Sequence, residues 1–245
     1  MQICPERGLP ISLRRLLPEA EFLGADDVRV TSCCCDSRRV EAGDLFVALA
    51  GSECDGHHFA AEAVQRGAAA VMAEQPIGGI NVPLCRVGDS RAAHAQVCQA
   101  LAGSPSKQLR VIGITGTNGK TTTSCLIANV LSTAGHPVGL LGTLGGFDGL
   151  DYCDSSLTTP PAEELARWLA RMVANGCSHA VLEVSSHGLD QKRTAGMELD
   201  AACITNVRRD HLDYHQSIED YRSTKSQILR LLTGDGFAVL NVDDP

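Results

Sequence analysis

Lysine is scarce in this chain: there are four among 245 residues, against 29 acidic side chains and a formal charge of −8. An acidic balance of that kind offers no basic stripe to a nucleic-acid backbone or an anionic membrane, although a local site can still hold a small phosphorylated ligand. No run of about eighteen apolar residues occurs, so no membrane-spanning helix is expected. The opening MQICPERGLPISLRR lacks a basic start followed by an apolar stretch, and no secretory leader is expected either. The eleven cysteines follow no framework spacing and contain no CxxC pair. They read as reduced thiols of a cytoplasmic protein, packing as small hydrophobes.

Cys33, Cys34 and Cys35 are consecutive. On a strand their side chains alternate between faces, so all three cannot close on one ion, and a buried strand is expected there. Neither internal repeats nor low-complexity tracts occur. With 44% apolar and 20% charged residues, the composition is that of an ordinary globular chain of one or two domains.

Two segments differ in rhythm. Up to about Ala102 the pattern is short and mixed: a strand in DLFVALAG (44–51), a helix and strand in HFAAEAVQRGAAAVMAE (58–74), and a helix closed by Gly103. The polar, turn-rich GSPSKQ (103–108) predicts a domain boundary, placed between residues 106 and 107. Beyond it come buried strands at LRVIGI, PVGLLG, HAVLEV, AACITNV and FAVLNVD, with helices at TTTSCLIANVLSTAG and AEELARWLARMVANG. Such alternation predicts an α/β fold with a mostly parallel sheet flanked by helices.

GITGTNGKTTT (113–123) lies between a strand and a helix, the setting a phosphate-binding loop requires. Backbone N–H groups and the helix N-terminus wrap phosphate oxygens, Lys120 adds charge, and the Thr121 hydroxyl can reach Mg²⁺. One position departs from the common pattern: Ile114 stands where a glycine is usual. ATP is the expected ligand.

Ligands of α/β sheets gather at the carboxyl ends of the strands. Glu183 and His211 fall at two such ends and could reach a Mg²⁺–phosphate site, with a strand-end salt bridge as the alternative for Glu183. His211 and His215 are spaced i, i+4, compatible with two metal ligands on one helical face. His57 and His58 read as surface residues ahead of a helix. Lys225, inside YRSTKSQIL, reads by itself as a solvent-facing helix lysine, with Tyr221, Ile228 and Leu229 turned inward.

Taken together and in order, TGTNGKTTT, LTTP, EVSSHGL, TNVRRDHLDYH, YRSTKSQIL and LNVDD resemble the Mur ligases. With DSRRVEAGDLFVALAG upstream, the set is similar to the MurE type, which joins an amino acid to a UDP-N-acetylmuramoyl dipeptide. The resemblance runs from about Cys35 to Asp244. It implies a small N-terminal α/β UDP-sugar-binding domain (1–106) and a central ATP-binding P-loop domain (107–245). The family's third domain, which receives the incoming amino acid, would lie beyond this sequence.

The same resemblance assigns residues. Gly116, Thr117, Asn118, Gly119, Lys120, Thr121 and Thr122 would hold the ATP phosphates. Thr121, Glu183, His211 and Lys225 would surround Mg²⁺, with Lys225 carrying an N-carboxylated (carbamylated) side chain. Lys120, Glu183, His211 and Lys225 form the implied catalytic set. Thr158, Thr159, Ser185, Gln191 and Arg193 match positions holding the muramoyl-peptide arm; Cys35 and Ser37 match those flanking the uracil. Ser52, Glu53 and Cys54 fall where relatives contact the UDP moiety, but with different side chains.

The implied substrates are ATP, UDP-MurNAc-L-Ala-D-Glu and either meso-diaminopimelate or L-lysine, used by a cytoplasmic monomer in peptidoglycan precursor synthesis. Two other classes compete with this reading. One is a P-loop phosphotransferase, which has no use for the upstream segment; the other is a non-catalytic nucleotide-binding fragment.

Overall fold

The computed structural model describes residues 9–51, 54–155, 157–210 and 214–244. Two compact units emerge, one ending at Gly103 and the other beginning at Ser104.

The first unit opens with β1 (Ile11–Ser12), α1 (Leu13–Leu16), β2 (Glu21–Leu23), β3 (Arg29–Val30) and β4 (Cys33–Cys34). It continues through β5 (Leu45–Val47), α2 (Ala60–Gln65), β6 (Ala70–Ala73), β7 (Leu84–Arg86) and α3 (Ser90–Leu101). Its main sheet has the order β2-β7-β6-β5-β4, parallel except for β2. Alternation along β5 and β6 divides the apolar side chains between two cores. Leu45, Val47, Ala70 and Met72 pack with Leu13, Ala93 and Val97; Phe46, Val71 and Ala73 pack with Ala60 and Ala63. Gly67 stops α2 with a φ of 105°, a conformation that costs glycine no steric strain.

Two expectations for this unit change. Only Cys33 and Cys34 of the cysteine run form a strand, and they are half-buried; Cys35 lies past its end and is exposed. His57 is not a surface residue: its ring is largely enclosed, with Nδ1 2.5 Å from Asp55 Oδ1 and Nε2 accepting from the Glu74 amide at 3.2 Å. Asp55 caps the short turn and aims the ring at the backbone beyond β6.

The second unit holds β8 (Arg110–Thr115), α4 (Lys120–Thr133), β9 (Val138–Gly142), β10 (Gly145–Phe147), β11 (Tyr152–Cys153) and α5 (Ala162–Ala174). Then follow β12 (His179–Glu183), α6 (Ser186–Asp190), β13 (Leu199–Ile204), α7 (Ile218–Ser226) and β14 (Leu232–Leu240). The sheet order is β11-β10-β9-β12-β8-β13-β14; β9, β12, β8, β13 and β14 run parallel, and β10 is antiparallel to both of its neighbours, β9 and β11. β8 is therefore central, with its carboxyl end flanked by those of β12 and β13.

Helices cover both faces because the strands are apolar on both. Val111, Ala180 and Leu182 meet Leu165, Trp168, Leu169 and Met172 of α5. On the other face Ile114 and Val181 meet Ile127 and Leu131 of α4. The spacing of Leu165, Trp168, Leu169 and Met172 is that of one helical stripe. His215, expected on a helix with His211, lies in a bend ahead of α7, and His211 itself is outside the described residues.

Trp168 is the chain's single tryptophan and is buried in the second unit, so its fluorescence reports on that unit alone. Truncating the neighbouring, fully buried Leu169 to alanine should cost about 2–5 kcal/mol through lost transfer energy and a cavity. A lowered urea midpoint of the Trp168 signal is the expected result; an unchanged midpoint would contradict this packing.

Candidate functional site

The candidate site forms where β8 passes into α4. Gly116 to Gly119 make the turn, and α4 starts at Lys120, so the helix's first amide groups face the loop. Gly116 has a φ of 151°, and a Cβ there would lie 1.9 Å from Thr205 Oγ1. Only glycine lets the loop approach β13 so closely.

The segment after β13 clamps the loop. Thr205 Oγ1 donates to the Asn118 carbonyl at 2.7 Å, and Asn206 Nδ2 donates to the same carbonyl at 3.0 Å. The Asn118 amide donates back to Asn206 Oδ1 at 3.0 Å, and the Thr117 amide to the Asn206 carbonyl at 2.8 Å. Thr205 and Asn206 lie in the TNVRRDHLDYH stretch, yet sequence reasoning assigned them no role. A polar pair immediately after a buried strand was the available signal.

Both lysines of interest point to one atom. Lys120 Nζ donates to the Gly116 carbonyl at 2.8 Å and to that of Thr117 at 3.0 Å. Lys225 Nζ donates to the Gly116 carbonyl at 2.9 Å and lies 4.4 Å from the centre of the Tyr221 ring. Lys225 is 1% exposed, so the solvent-facing reading of that helix position is wrong. Tyr221 and Ile228 are buried as expected. Burial, and secondarily the charge of Lys120, lower the Lys225 pKa to about 7, against a smaller opposing effect of Asp210. Burial also lowers that of Lys120, opposed by Glu183 and Asp210.

On the opposite side of the loop stands Glu183, 3% exposed at the end of β12. Its Oε2 accepts from Thr121 Oγ1 at 2.9 Å and from Thr143 Oγ1 at 3.0 Å, and its Oε1 accepts from the Thr143 amide at 3.1 Å. The carboxylate occupies the space above Gly142, where an added Cβ would be 2.1 Å from Oε1. Its described partners are hydroxyls and an amide, not the salt bridge weighed as an alternative. Thr143, just past β9, was missed; its position at a parallel strand's carboxyl end could have marked it.

A second polar group adjoins this one. Thr158 Oγ1 is 3.0 Å from Thr143 Oγ1. Thr159 Oγ1 donates to the Glu183 carbonyl and accepts from the Ser185 amide, both at 2.9 Å. Arg193 donates to the Thr159 carbonyl and through Nε and Nη2 to Gln191 Oε1. The five residues matched to a peptide arm are thus hydrogen-bonded into one network around the end of β12. In the first unit, buried Ser37 donates to Glu62 Oε2 at 3.0 Å, while Cys35 and Cys54 are exposed. Ser52 and Glu53, like His211, lie outside the described residues.

The family profile described as Mur ligase middle domain matches residues 114–245, and the one described as Mur ligase family, catalytic domain matches residues 29–102. A UDP-N-acetylmuramoyl-L-alanyl-D-glutamate–2,6-diaminopimelate ligase of Bacillus licheniformis is 40% identical over 230 residues, covering 91% of this chain and 47% of that protein. A solved structure of a ligase with the same name superposes with a TM-score of 0.78 at 32% identity, covering 96% of this chain and 48% of the other. The MurF ligase of Thermotoga maritima in complex with ADP gives 0.54 at 26% identity, covering 87% and 46%. The chain therefore spans about half the length of the relatives it matches.

The depressed Lys225 pKa fixes a pH dependence. The unfolded lysine binds its proton up to about pH 10.5, whereas the folded one releases it near 7. The cost of burying the ammonium is present in full below pH 7 and is relieved as pH rises from 7 towards 10.5. Urea midpoints of the Trp168 signal in carbon-dioxide-free buffer should climb across that window, relative to Lys225→Met. Parallel pH profiles for the two proteins would refute the burial argument.

Proposed function

The chain belongs to the Mur ligase family, and from that premise we propose that it supplies the sugar-nucleotide and ATP sites of an ATP-dependent amide-bond ligase acting on UDP-MurNAc-L-Ala-D-Glu. The observation that carries this reading is the phosphate loop with two lysines on the Gly116 carbonyl and a buried glutamate bound to Thr121. The first unit, with Cys35, Ser37 and Cys54, takes the UDP moiety; the second takes ATP. The incoming amino acid is meso-diaminopimelate, as in the diaminopimelate-ligase relative, or L-lysine, and the product is a cytoplasmic peptidoglycan precursor made by a monomer. Among the described residues no helix is long and apolar enough to cross a membrane.

The proposed reaction has two steps. The substrate's terminal carboxylate attacks the γ-phosphate of ATP to give an acyl phosphate and ADP; the amino acid's amine then displaces phosphate. The first step brings two anions together, so its barrier is chiefly electrostatic. The segment Gly116 to Thr122 holds the phosphates, chiefly through the amides at the α4 N-terminus because Asn206 engages those of Thr117 and Asn118, and Lys120 turns from the loop carbonyls to the transferred group. Arg193, oriented by Gln191, presents its fork to the substrate carboxylate. Thr158, Thr159 and Ser185 position the peptide arm.

Magnesium fits the residues present. Thr121 and Glu183 offer hard oxygen donors, and the Gly142 cradle keeps the carboxylate at the loop. His211 and a carbamylated Lys225 would complete the donor set. When bound, Mg²⁺ neutralises phosphate charge. Carbamylation joins the neutral Lys225 amine to CO₂ and releases one proton to solvent. A pKa near 7 leaves a substantial neutral fraction for this step.

Two measurements test these assignments. In calorimetric titration the chain should bind UDP-MurNAc-L-Ala-D-Glu more tightly than UMP, and bind a Mg²⁺–ATP analogue. Lys120→Ala should weaken only the analogue, by at least tenfold; equal affinity in both proteins would remove Lys120 from the phosphate site. With ¹³C-bicarbonate, a carbamate carbonyl resonance should appear and be missing in Lys225→Ala. Its absence from the unaltered chain would leave Lys225 as a buried amine.

A further inference from the structure

The first unit contains a cluster that the ligase chemistry does not use. Cys33 on β4 and His94 and Cys98 on α3 place their ligand atoms within 4.8 Å of one another. Cys33 Sγ lies 3.9 Å from Cys98 Sγ, and Cys98 Sγ lies 3.4 Å from His94 Nε2. His94 and Cys98 are i, i+4 on one face of α3, so the helix itself sets their spacing. Both are buried, and Cys33 is half-buried.

The Cys33–Cys98 and Cys98–His94 distances match two edges of a zinc tetrahedron, and the Cys33–His94 pair lies within 4.8 Å. Zn–S bonds of about 2.3 Å and Zn–N bonds of about 2.0–2.1 Å at tetrahedral angles put two sulfurs about 3.8 Å apart, and sulfur and nitrogen about 3.5 Å apart. The sulfurs are too distant for a disulfide bond, which needs about 2.05 Å. Two thiols and an imidazole are also a donor set that zinc accepts with a fourth position open to water.

We propose that Cys33, His94 and Cys98 form a zinc site that ties β4 to α3. Binding exchanges two S–H bonds for two Zn–S bonds, releases two protons to solvent, and uses the Nε2 lone pair of a neutral His94. The centre then carries no net charge, as two thiolates balance Zn²⁺. That suits its place beside the apolar cluster of Val97, Leu45 and Val30, whereas a monovalent ion would leave a buried negative charge. The metal candidates visible in the sequence, the consecutive cysteines and the His211–His215 pair, do not point to this group. The second and third ligands lie about sixty residues further on, and only the fold brings them together.

The test uses the full chain, reduced with a non-thiol reductant and titrated with Co²⁺ as a spectroscopic probe. One equivalent should bind, with thiolate-to-cobalt charge transfer and the d–d bands of a tetrahedral centre, and Zn²⁺ should displace it. Cys33→Ser and Cys98→Ser should each lower the charge-transfer intensity by about half, and His94→Gln should weaken binding at least tenfold. Cys125→Ser/Cys153→Ser should leave the cobalt spectrum unchanged. Bands that persist in Cys33→Ser/Cys98→Ser, no bands at all, or a two-proton mass loss from disulfide closure would each overturn the site. If the cysteine variants do not fold, X-ray absorption of the zinc-loaded unaltered chain decides. Two sulfurs and at least one nitrogen around zinc support the site, and an all-oxygen shell refutes it.

Discussion

Two ammonium groups converge on the carbonyl oxygen of Gly116, and much of the second unit serves to make that convergence possible. A single carbonyl cannot neutralise two cations. With both nitrogens on one oxygen, they lie within roughly 6 Å of each other, a repulsion on the order of 3 kcal/mol at an effective dielectric constant of about 20. Burial lowers the proton affinity of both and so relieves it, most of all at Lys225, where the charge of Lys120 adds to burial and the pKa falls to about 7. In a chain with four lysines, two of them at one loop is a concentration that a surface role would not require.

Gly116 reaches that position through close packing rather than through the loop's own preference. Its φ of 151° and the contact that any Cβ would make with Thr205 fix the loop against β13. Thr205 and Asn206 then lock the next two residues through backbone groups. The loop is thus held from the β13 side, with the Thr117 and Asn118 amides taken up by Asn206 and the first amides of α4 left for an anion. A loop held this way loses little conformational entropy when it binds an anion.

The fold was legible wherever pattern and punctuation agreed. Apolar runs at β8, β9, β12 and β13, with positive-φ glycines at Gly135 and Gly176 closing α4 and α5, gave both the class and the order of elements. The phosphate loop was legible because its residues are contiguous. Lys225 was legible only through the family resemblance: its local pattern is that of an exposed helix lysine, and only its place against the end of β8 makes it buried. Thr143, Thr205 and Asn206 were missed for a related reason. Each acts through hydrogen bonds to residues 40 or more positions away, or nearly 90, and such pairings leave no periodicity in the sequence. The Cys33–His94–Cys98 group belongs with them.

The two sides of the loop carry opposite charge, and Thr121 stands between them. Lys120 and the α4 N-terminus make one side positive, and the unmodified Lys225 adds to it while protonated. On the other, Glu183 is held as an acceptor by the Thr121 and Thr143 hydroxyls and the Thr143 amide, and Gly142 leaves it no side chain to compete with. Hydroxyls turn readily, so Thr121 can give its proton to Glu183 and its oxygen to a cation at the same time. A phosphate alone would satisfy the positive side and be repelled by the carboxylate; a cation alone would meet the reverse. On the proposed reading, a polyphosphate carrying a hard divalent cation would satisfy both sides at once, and either partner by itself would meet one side of like charge.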